Sequence, residues 1–393
     1  MRRVAVDPRF PARLRELRQQ RHLSLRDLGR LAVYSHTYLW EFEKGIKAPT
    51  ADVAVRLDDA LDADGELARM VVDTWTPLTP DDEDRLTATA HKPQRVDRAV
   101  LDSLDVLLAE QRRIEDAIGA VPMIAPVVGQ LTVVSSLVRE ARSDVRPTAL
   151  DVAAQWAQYT GWLHIAAERP GKAARWLGRA LEWATEVGDS DLASTVLSFK
   201  GHQAWLSGQV ARTVELSEAA RSMPGVYVGQ RAYDAYQQAR GLAVIGDGHA
   251  VDLLLGEADD LAAATAEYHG DVRPWHYYRL PAFYDLERGL VHRLLGREKP
   301  EHNQRAIDLL TAGLAGLPPE MREAEWAGEY AYHLAAACLQ AGDAASAGRV
   351  AAGVRAVARA TNSGRLRSLL VTLGPDLSAN GSADGRALPG DCG

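Results

Sequence analysis

The chain has 393 residues, 47% of them hydrophobic and 25% charged, which is enough for two or three domains with a sizeable buried core. Its two cysteines, Cys338 and Cys392, exclude a disulfide framework or a cysteine metal site; no run of 18 apolar residues or basic-then-apolar leader is present, so a cytosolic protein off the membrane is expected. The net charge of −8 argues against nucleic acid until its distribution is considered: residues 1–50 carry eleven Lys or Arg against five Asp or Glu, residues 51–75 two against seven, and 76–393 a net −9.

From Phe10-Pro11, the spacing of Leu14, Leu17 and Leu23 predicts a first helix, with Arg13, Arg15, Arg18 and Arg21 distributed around it. Ser24-x-x-Asp27 reads as a capping box with Asp in place of Glu, and Leu25, Leu28, Leu31 and Ala32 form the apolar stripe of a second helix. Ser35 is an N-cap for a third helix that starts at His36 and is ended by Gly45. There Leu39 and Phe42 face a core, which leaves His36, Thr37, Trp40, Glu41 and Lys44 pointing elsewhere. Such a short helix is no core by itself, and its basic flanks point to the DNA major groove, which admits one helix. Thr50 caps a fourth helix with Val53, Leu57 and Leu61 on one face, and Leu67, Met70 and Val71 make a short fifth. Residues 1–75 are thus expected to form one small all-α domain.

The ordered set L-S-L-R-D-L, Y-S-H-T-Y-L-W-E-F-E-K-G and A-P-T, within roughly residues 10–75, resembles a repressor/Cro-type helix-turn-helix of the xenobiotic-response-element (XRE) family. The resemblance implies that Ser24 to Ala32 is the first motif helix and His36 to Lys44 the recognition helix. It places base reading on His36, Thr37 and Glu41, with Trp40 adjacent, and phosphate contacts on Arg26, Lys44 and Lys47. It also sets Arg18 and Glu43 where the family often has a buried ion pair. Two residues depart from the family. Val33 stands in the turn where Gly is usual, so the turn is either strained or reshaped. Glu41 puts a negative charge on the DNA face, where it either accepts from a cytosine amino group or is held by Arg30 or Lys44. A helical module that binds a protein rather than DNA is the rival reading of this head.

Thr76 to Pro93 holds three prolines and the acidic run Asp81 to Asp84, which predicts an extended, solvated connector. Beyond it, Gly161, Gly201 and Gly241 recur every 40 residues in the same context, a helical stretch before and a turn after, and the frame continues at Gly289 and Ala335. Small residues at such positions let two helices approach closely. A helix pair, Val96 to Ile118 and Ile124 to Arg142, broken over 119–122, is read as the amino-terminal cap of the stack. In the first unit Gly161, Ala173, Leu177 and Ala180 sit at the spacing of the tetratricopeptide (TPR) signature; the period of 40 exceeds the usual 34, so the units over 94–373 are TPR-like. Stacked repeats of this kind present a concave surface lined by the first helix of each pair. Counting from the glycines places Gln155, Gln158, Trp162, Ser198, His202, Trp205, Gln238, Arg293, Glu329 and Tyr332 on or near it, a set suited to a peptide or small molecule. The plainer alternative for Trp156, Trp162, Trp176, Trp183 and Trp205 is packing between helices. Residues 374–393, rich in Gly, Ser, Asp and Pro, are expected to be disordered.

Helix-turn-helix followed by TPR-like repeats resembles the peptide-sensing regulators of Gram-positive bacteria, and more closely the XRE regulators of actinomycetes. The resemblance implies a homodimer that binds double-stranded DNA and senses a signal through its body. No catalytic motif, cofactor fingerprint or paired metal-ligand spacing is present, so no enzyme, cofactor or metal is expected. The cluster Arg273-Pro274-Trp275-His276-Tyr277-Tyr278-Arg279 is read as a packing knot between repeats.

Overall fold

The computed structural model describes residues 3–379 except 8, 48, 50, 64, 75–79, 94–95, 143, 269–271 and 277. It is an all-α protein to which one two-stranded ribbon is added, and it divides into two compact units, residues 1–85 together with 265–269, and the remainder.

In the first unit, strand β1 (Arg3–Val6) pairs antiparallel with β2 (Val71–Thr74), Arg3 opposite Thr74 and Val6 opposite Val71. Between them run α1 (Phe10–Gln20), α2 (Leu25–Ala32), α3 (His36–Glu43), α4 (Ala51–Leu61) and α5 (Glu66–Arg69). The fifth helix is shorter than its apolar residues suggest, because Val71 belongs to the ribbon. Phe10, Leu14, Leu28, Leu39, Phe42, Leu57 and Leu67 are fully buried together. Leu31, expected in the apolar stripe of α2, is 58% exposed, since Leu28 and Ala32 one turn apart already fill the inward face.

The capping box is complete: the Asp27 amide donates to Ser24 Oγ at 3.1 Å and the Ser24 amide to Asp27 Oδ2 at 3.1 Å. Ser35 Oγ accepts from the Tyr38 amide at 3.2 Å, which starts α3 at His36 as expected. The predicted cap Thr50 lies outside the described residues. Between α2 and α3 the chain turns at Val33, which adopts φ 59°, ψ 44°, so the turn keeps its left-handed geometry and bears the strain of a β-branched residue. That conformation costs about 1–2 kcal/mol, part of which glycine would give back as unfolded-state entropy. Val33→Gly should therefore stabilise the head by about 0.5–1 kcal/mol, seen as a higher midpoint for its thermal unfolding transition. Val33→Ala, which keeps the Cβ, should show no such gain.

The stretch expected to be an extended connector is largely helical: α6 spans Pro80–His91. Pro80 is no breaker at a first helical position, where its missing N–H needs no partner, and Asp81, Asp82 and Glu83 lie in the first turn, where the helix dipole favours negative charge.

The second unit opens with α7 (Arg98–Ile118) and α8 (Ala120–Glu140), joined by Gly119 alone. Pro122 falls in the first turn of α8, so the expected break over 119–122 shrinks to one residue. By length and composition α8 could cross a membrane, with mean hydropathy 1.8; Val127, Leu131, Val134 and Leu137 are buried in the core of this unit. Helix pairs follow: α9 (Arg146–Ala166) with α10 (Pro170–Val187), α11 (Ser190–Leu206) with α12 (Val210–Arg221), and α13 (Val228–Ile245) with α14 (Gly248–Ala264). Next come α15 (Pro281–Leu295) with α16 (Glu301–Gly316), the single turn α17 (Pro319–Arg322), α18 (Glu325–Gln340) with α19 (Ala344–Ala360), and α20 (Gly364–Ala379). The last helix overruns the predicted start of a disordered tail at 374; residues 380–393 lie outside the described residues.

The recurring glycines sit where helices touch. A Cβ on Gly161 would lie 2.6 Å from Leu177 of α10, one on Gly241 2.6 Å from Val214 of α12, and one on Gly289 2.8 Å from Leu310 of α16. The stack does not stay open. At Gly119 a Cβ would lie 2.3 Å from the Thr361 carbonyl oxygen, and the Trp326 indole donates to Asp116 Oδ1 at 3.0 Å. Ser363 Oγ donates to Glu325 Oε1 at 2.5 Å, and Glu325 also accepts from the Ala120 amide. The first helix pair of this unit therefore meets its last helices, and α7 does more than cap the stack.

Candidate functional site

On the head, α3 presents a polar face. His36, Thr37 and Lys44 are exposed, Trp40 is 43% exposed, and Glu41 is half-buried, all on the side opposite Leu39 and Phe42. Arg26 on α2 is exposed. Lys47 is half-buried, its ammonium 4.6 Å from the Tyr38 ring centroid, which fixes the stem while the charge stays near the surface. Arg30 pairs with Asp27, and no hydrogen bond or ion pair of the Glu41 carboxylate occurs among the described residues. Of the two readings of Glu41, restraint by Arg30 or Lys44 is therefore absent here. The helix is held from behind by Arg18 of α1, whose Nε and Nη2 donate to Glu43 Oε1 and Oε2 at 2.6 and 2.9 Å, with both side chains largely buried.

In the second unit the first helices of successive pairs surround a cavity that opens to solvent. The expected groove is thus roofed. Gln158, Trp162, His202, Trp205 and Glu329 line it, which brings together five of the ten residues assigned to the concave surface. The other five are engaged elsewhere, four of them between helices and Gln155 within α9. Gln155 donates to Asp151 at 3.0 Å, Ser198 Oγ to Asp234, and Gln238 Oε1 accepts from Arg221 Nε at 2.7 Å. Arg293 Nε donates to Gln340 Oε1 at 3.2 Å, and the Tyr332 hydroxyl lies 3.1 Å from Thr372 Oγ1.

Sequence reasoning missed most of the wall. Arg112, Glu115 and Asp116 come from α7, read only as a cap, and Trp275 and Tyr278 from the segment read as a packing knot. That segment does pack: the Trp275 indole donates to Thr195 Oγ1 at 3.2 Å and His276 Nε2 lies 3.1 Å from Asp191 Oδ2. It also lends two rings to the cavity, where Tyr278, Phe283, Trp326 and Tyr330 form an aromatic wall of edge-to-face and tilted pairs with centroids 5.1–6.4 Å apart. Among the tryptophans weighed as packing residues, Trp156 is fully buried, whereas Trp162 and Trp205 face the cavity.

Burial shifts three titratable groups of the wall toward their neutral forms. Burial first, and then the negative Asp116 beside it, hold the Glu115 carboxyl well above the usual carboxylate range. Burial and the positive Arg240 push His202 well below the usual imidazole value, and burial with Arg293 does the same to His333, so both rings are neutral near pH 7. The Trp162 indole donates to Glu115 Oε2 at 3.1 Å. Arg112 stacks 5.4 Å from the Tyr159 ring, and Arg240 4.9 Å from the Trp205 ring while donating to Gln237 Oε1 at 2.8 Å.

The two motif helices, their caps and the exposed polar face of α3 define a helix-turn-helix DNA-binding head. Residues 9–70 accordingly match the family model described as a helix-turn-helix domain. No curated protein and no solved structure matches the chain.

Proposed function

We propose that this protein is a sequence-specific transcriptional regulator of the XRE type that works as a homodimer and whose TPR-like body senses a ligand. The observation that carries the reading is one chain holding both a helix-turn-helix head with a free polar recognition face and a helical body with an aromatic-lined cavity. A single eight-residue helix reaches only a half-site, so two heads would address half-sites one helical turn, about 34–36 Å, or a multiple apart. Because α7 roofs the cavity, a compact small molecule fits it better than an extended peptide. No catalytic step enters the proposal.

Binding of the purified chain to duplex DNA from upstream of its own gene, against scrambled competitor at two salt concentrations, tests the reading. Specific and salt-sensitive binding is expected. Lys44→Ala and Lys47→Ala should weaken binding to all sequences alike and lower the salt slope by about one unit for each phosphate no longer neutralised. Equal competition by scrambled DNA at both salts would remove the sequence-reading role and favour a head that binds a protein.

A further inference from the structure

The cavity wall has a chemical polarity that narrows the ligand. Ten of its residues are aromatic, Leu290 is aliphatic, and the acidic pair Glu115 and Asp116 stands near the carboxyl end of α7, where the helix dipole is also negative. Each carboxylate of the pair binds an indole N–H, that of Trp162 or Trp326, so what these rings offer a guest is their electron-rich π surface. Glu115 Oε1 makes no hydrogen bond among the described residues, in a side chain that is 97% removed from solvent and lines the cavity.

The positive groups are differently placed. The Arg240 guanidinium has the Trp205 face, an amide acceptor on Gln237 and Glu287 at 3.9 Å, with its Nε left without a hydrogen bond among the described residues, and Arg112 lies on Tyr159 with Gln158 Oε1 at 3.5 Å. Arg365, behind the wall, is bound in a bidentate pair by Glu329. An anionic guest would have to compete with these acceptors and would share the cavity with the acidic pair. A cation meets a carboxylate oxygen without a partner and aromatic faces that attract positive charge.

We propose that the cavity is a binding site for an organic cation with an aromatic or bulky apolar body, its charged head against Glu115 and Asp116 and its body between Trp162, Trp326 and Tyr330. The inference rests on the sensing role of the body and names the class of molecule sensed. Burial raises the pKa of the Glu115 carboxyl, and a cation beside it would oppose that shift by supplying counter-charge.

The test compares three probes on the full chain: benzyltrimethylammonium, its neutral isostere neopentylbenzene, and phenylacetate, with tryptophan fluorescence and calorimetry as readouts. The cation should bind at least about tenfold more tightly than either other probe, the range expected of a desolvated cation–π site with a carboxylate. Glu115→Gln and Asp116→Asn, each checked for unchanged helicity, should reduce that preference severalfold or more while leaving neopentylbenzene within about twofold. Equal or tighter binding of the neutral or anionic probe, binding by none of the three, or full cation preference retained in both variants would each overturn the assignment. Duplex binding measured on the same preparation separates the two claims. Salt-dependent DNA binding without cation selectivity removes only the ligand class; cation selectivity without DNA binding removes the regulator reading and leaves the cavity assigned.

Discussion

Glu43→Ala should destabilise the helix-turn-helix head by about 3–5 kcal/mol, the loss characteristic of breaking a buried ion pair at one partner. Arg18 makes three bonds at once: two to the Glu43 carboxylate at 2.6 and 2.9 Å and one from Nη1 to the Leu23 carbonyl at 2.8 Å. It thereby ties the end of α1, the turn that leads into α2 and the last residue of α3 to one side chain. With side-chain exposures of 12% for Arg18 and 6% for Glu43, water replaces little of what is removed, and the guanidinium would be left with one acceptor for its charge. The pair's worth compared with an apolar substitute is a separate quantity. Arg18→Met with Glu43→Leu should recover most of the loss, because no unpaired charge is then buried. Hydrogen exchange of the full chain reads the effect locally: α1 and α3 amides should exchange about 10²–10³-fold faster in Glu43→Ala, while α9 and α10 stay protected. Unchanged protection in α3 would show that the pair contributes nothing to holding the recognition helix.

That pair marks the kind of feature that is legible in a sequence. Arg18 and Glu43, the Ser24 and Ser35 caps and the turn at Val33 belong to a motif whose parts lie within some 25 residues, and each leaves a local chemical signature. The glycines at 161, 201 and 241 are equally readable, because a helix contact that excludes a Cβ forces a small residue at each repeat. The linker misleads for a local reason: proline and acidic residues suit both an exposed connector and a helix's first turn, and only the docking of Leu86 decides between them. The roof of the cavity leaves a fainter trace. On α7 the apolar row Leu101, Leu104, Leu108 continues in the same register as Gln111, Arg112, Glu115 and Asp116, all buried. Charged residues in line with a core stripe signal buried partners, but nothing local says which. Asp116 finds Trp326 at a sequence separation of 210, beyond any periodicity.

The contact that closes this ring should be sensitive to a single methyl group. Gly119→Ala is expected to cost about 3–5 kcal/mol, or to detach α7 from α18 to α20 if the body relieves the strain by opening. Two independent effects point the same way. Gly119 adopts φ 83°, ψ 168°, a region essentially confined to glycine, where a Cβ costs about 1–3 kcal/mol. A Cβ there would also stand 2.3 Å from the Thr361 carbonyl oxygen, and backbone, unlike a side-chain tip, has no rotamer by which to withdraw. Displacement of Thr361 would carry the start of α20 with it, and with it Ser363, which holds Glu325 together with the Ala120 amide. Asp116 and Trp326 lie at the same junction, so the acidic end of the cavity is the part that opens first. In the variant, acrylamide should quench tryptophan fluorescence more strongly, amides at the start of α8 and α20 should lose protection, and benzyltrimethylammonium should bind severalfold more weakly, with DNA binding by the head at fixed salt unchanged. An unchanged unfolding midpoint with unchanged quenching would mean that the two ends do not bear on each other. Loss of closure without loss of cation affinity would place the binding determinants away from the junction of α7 and α18 and overturn the roles given to Glu115, Asp116 and Trp326.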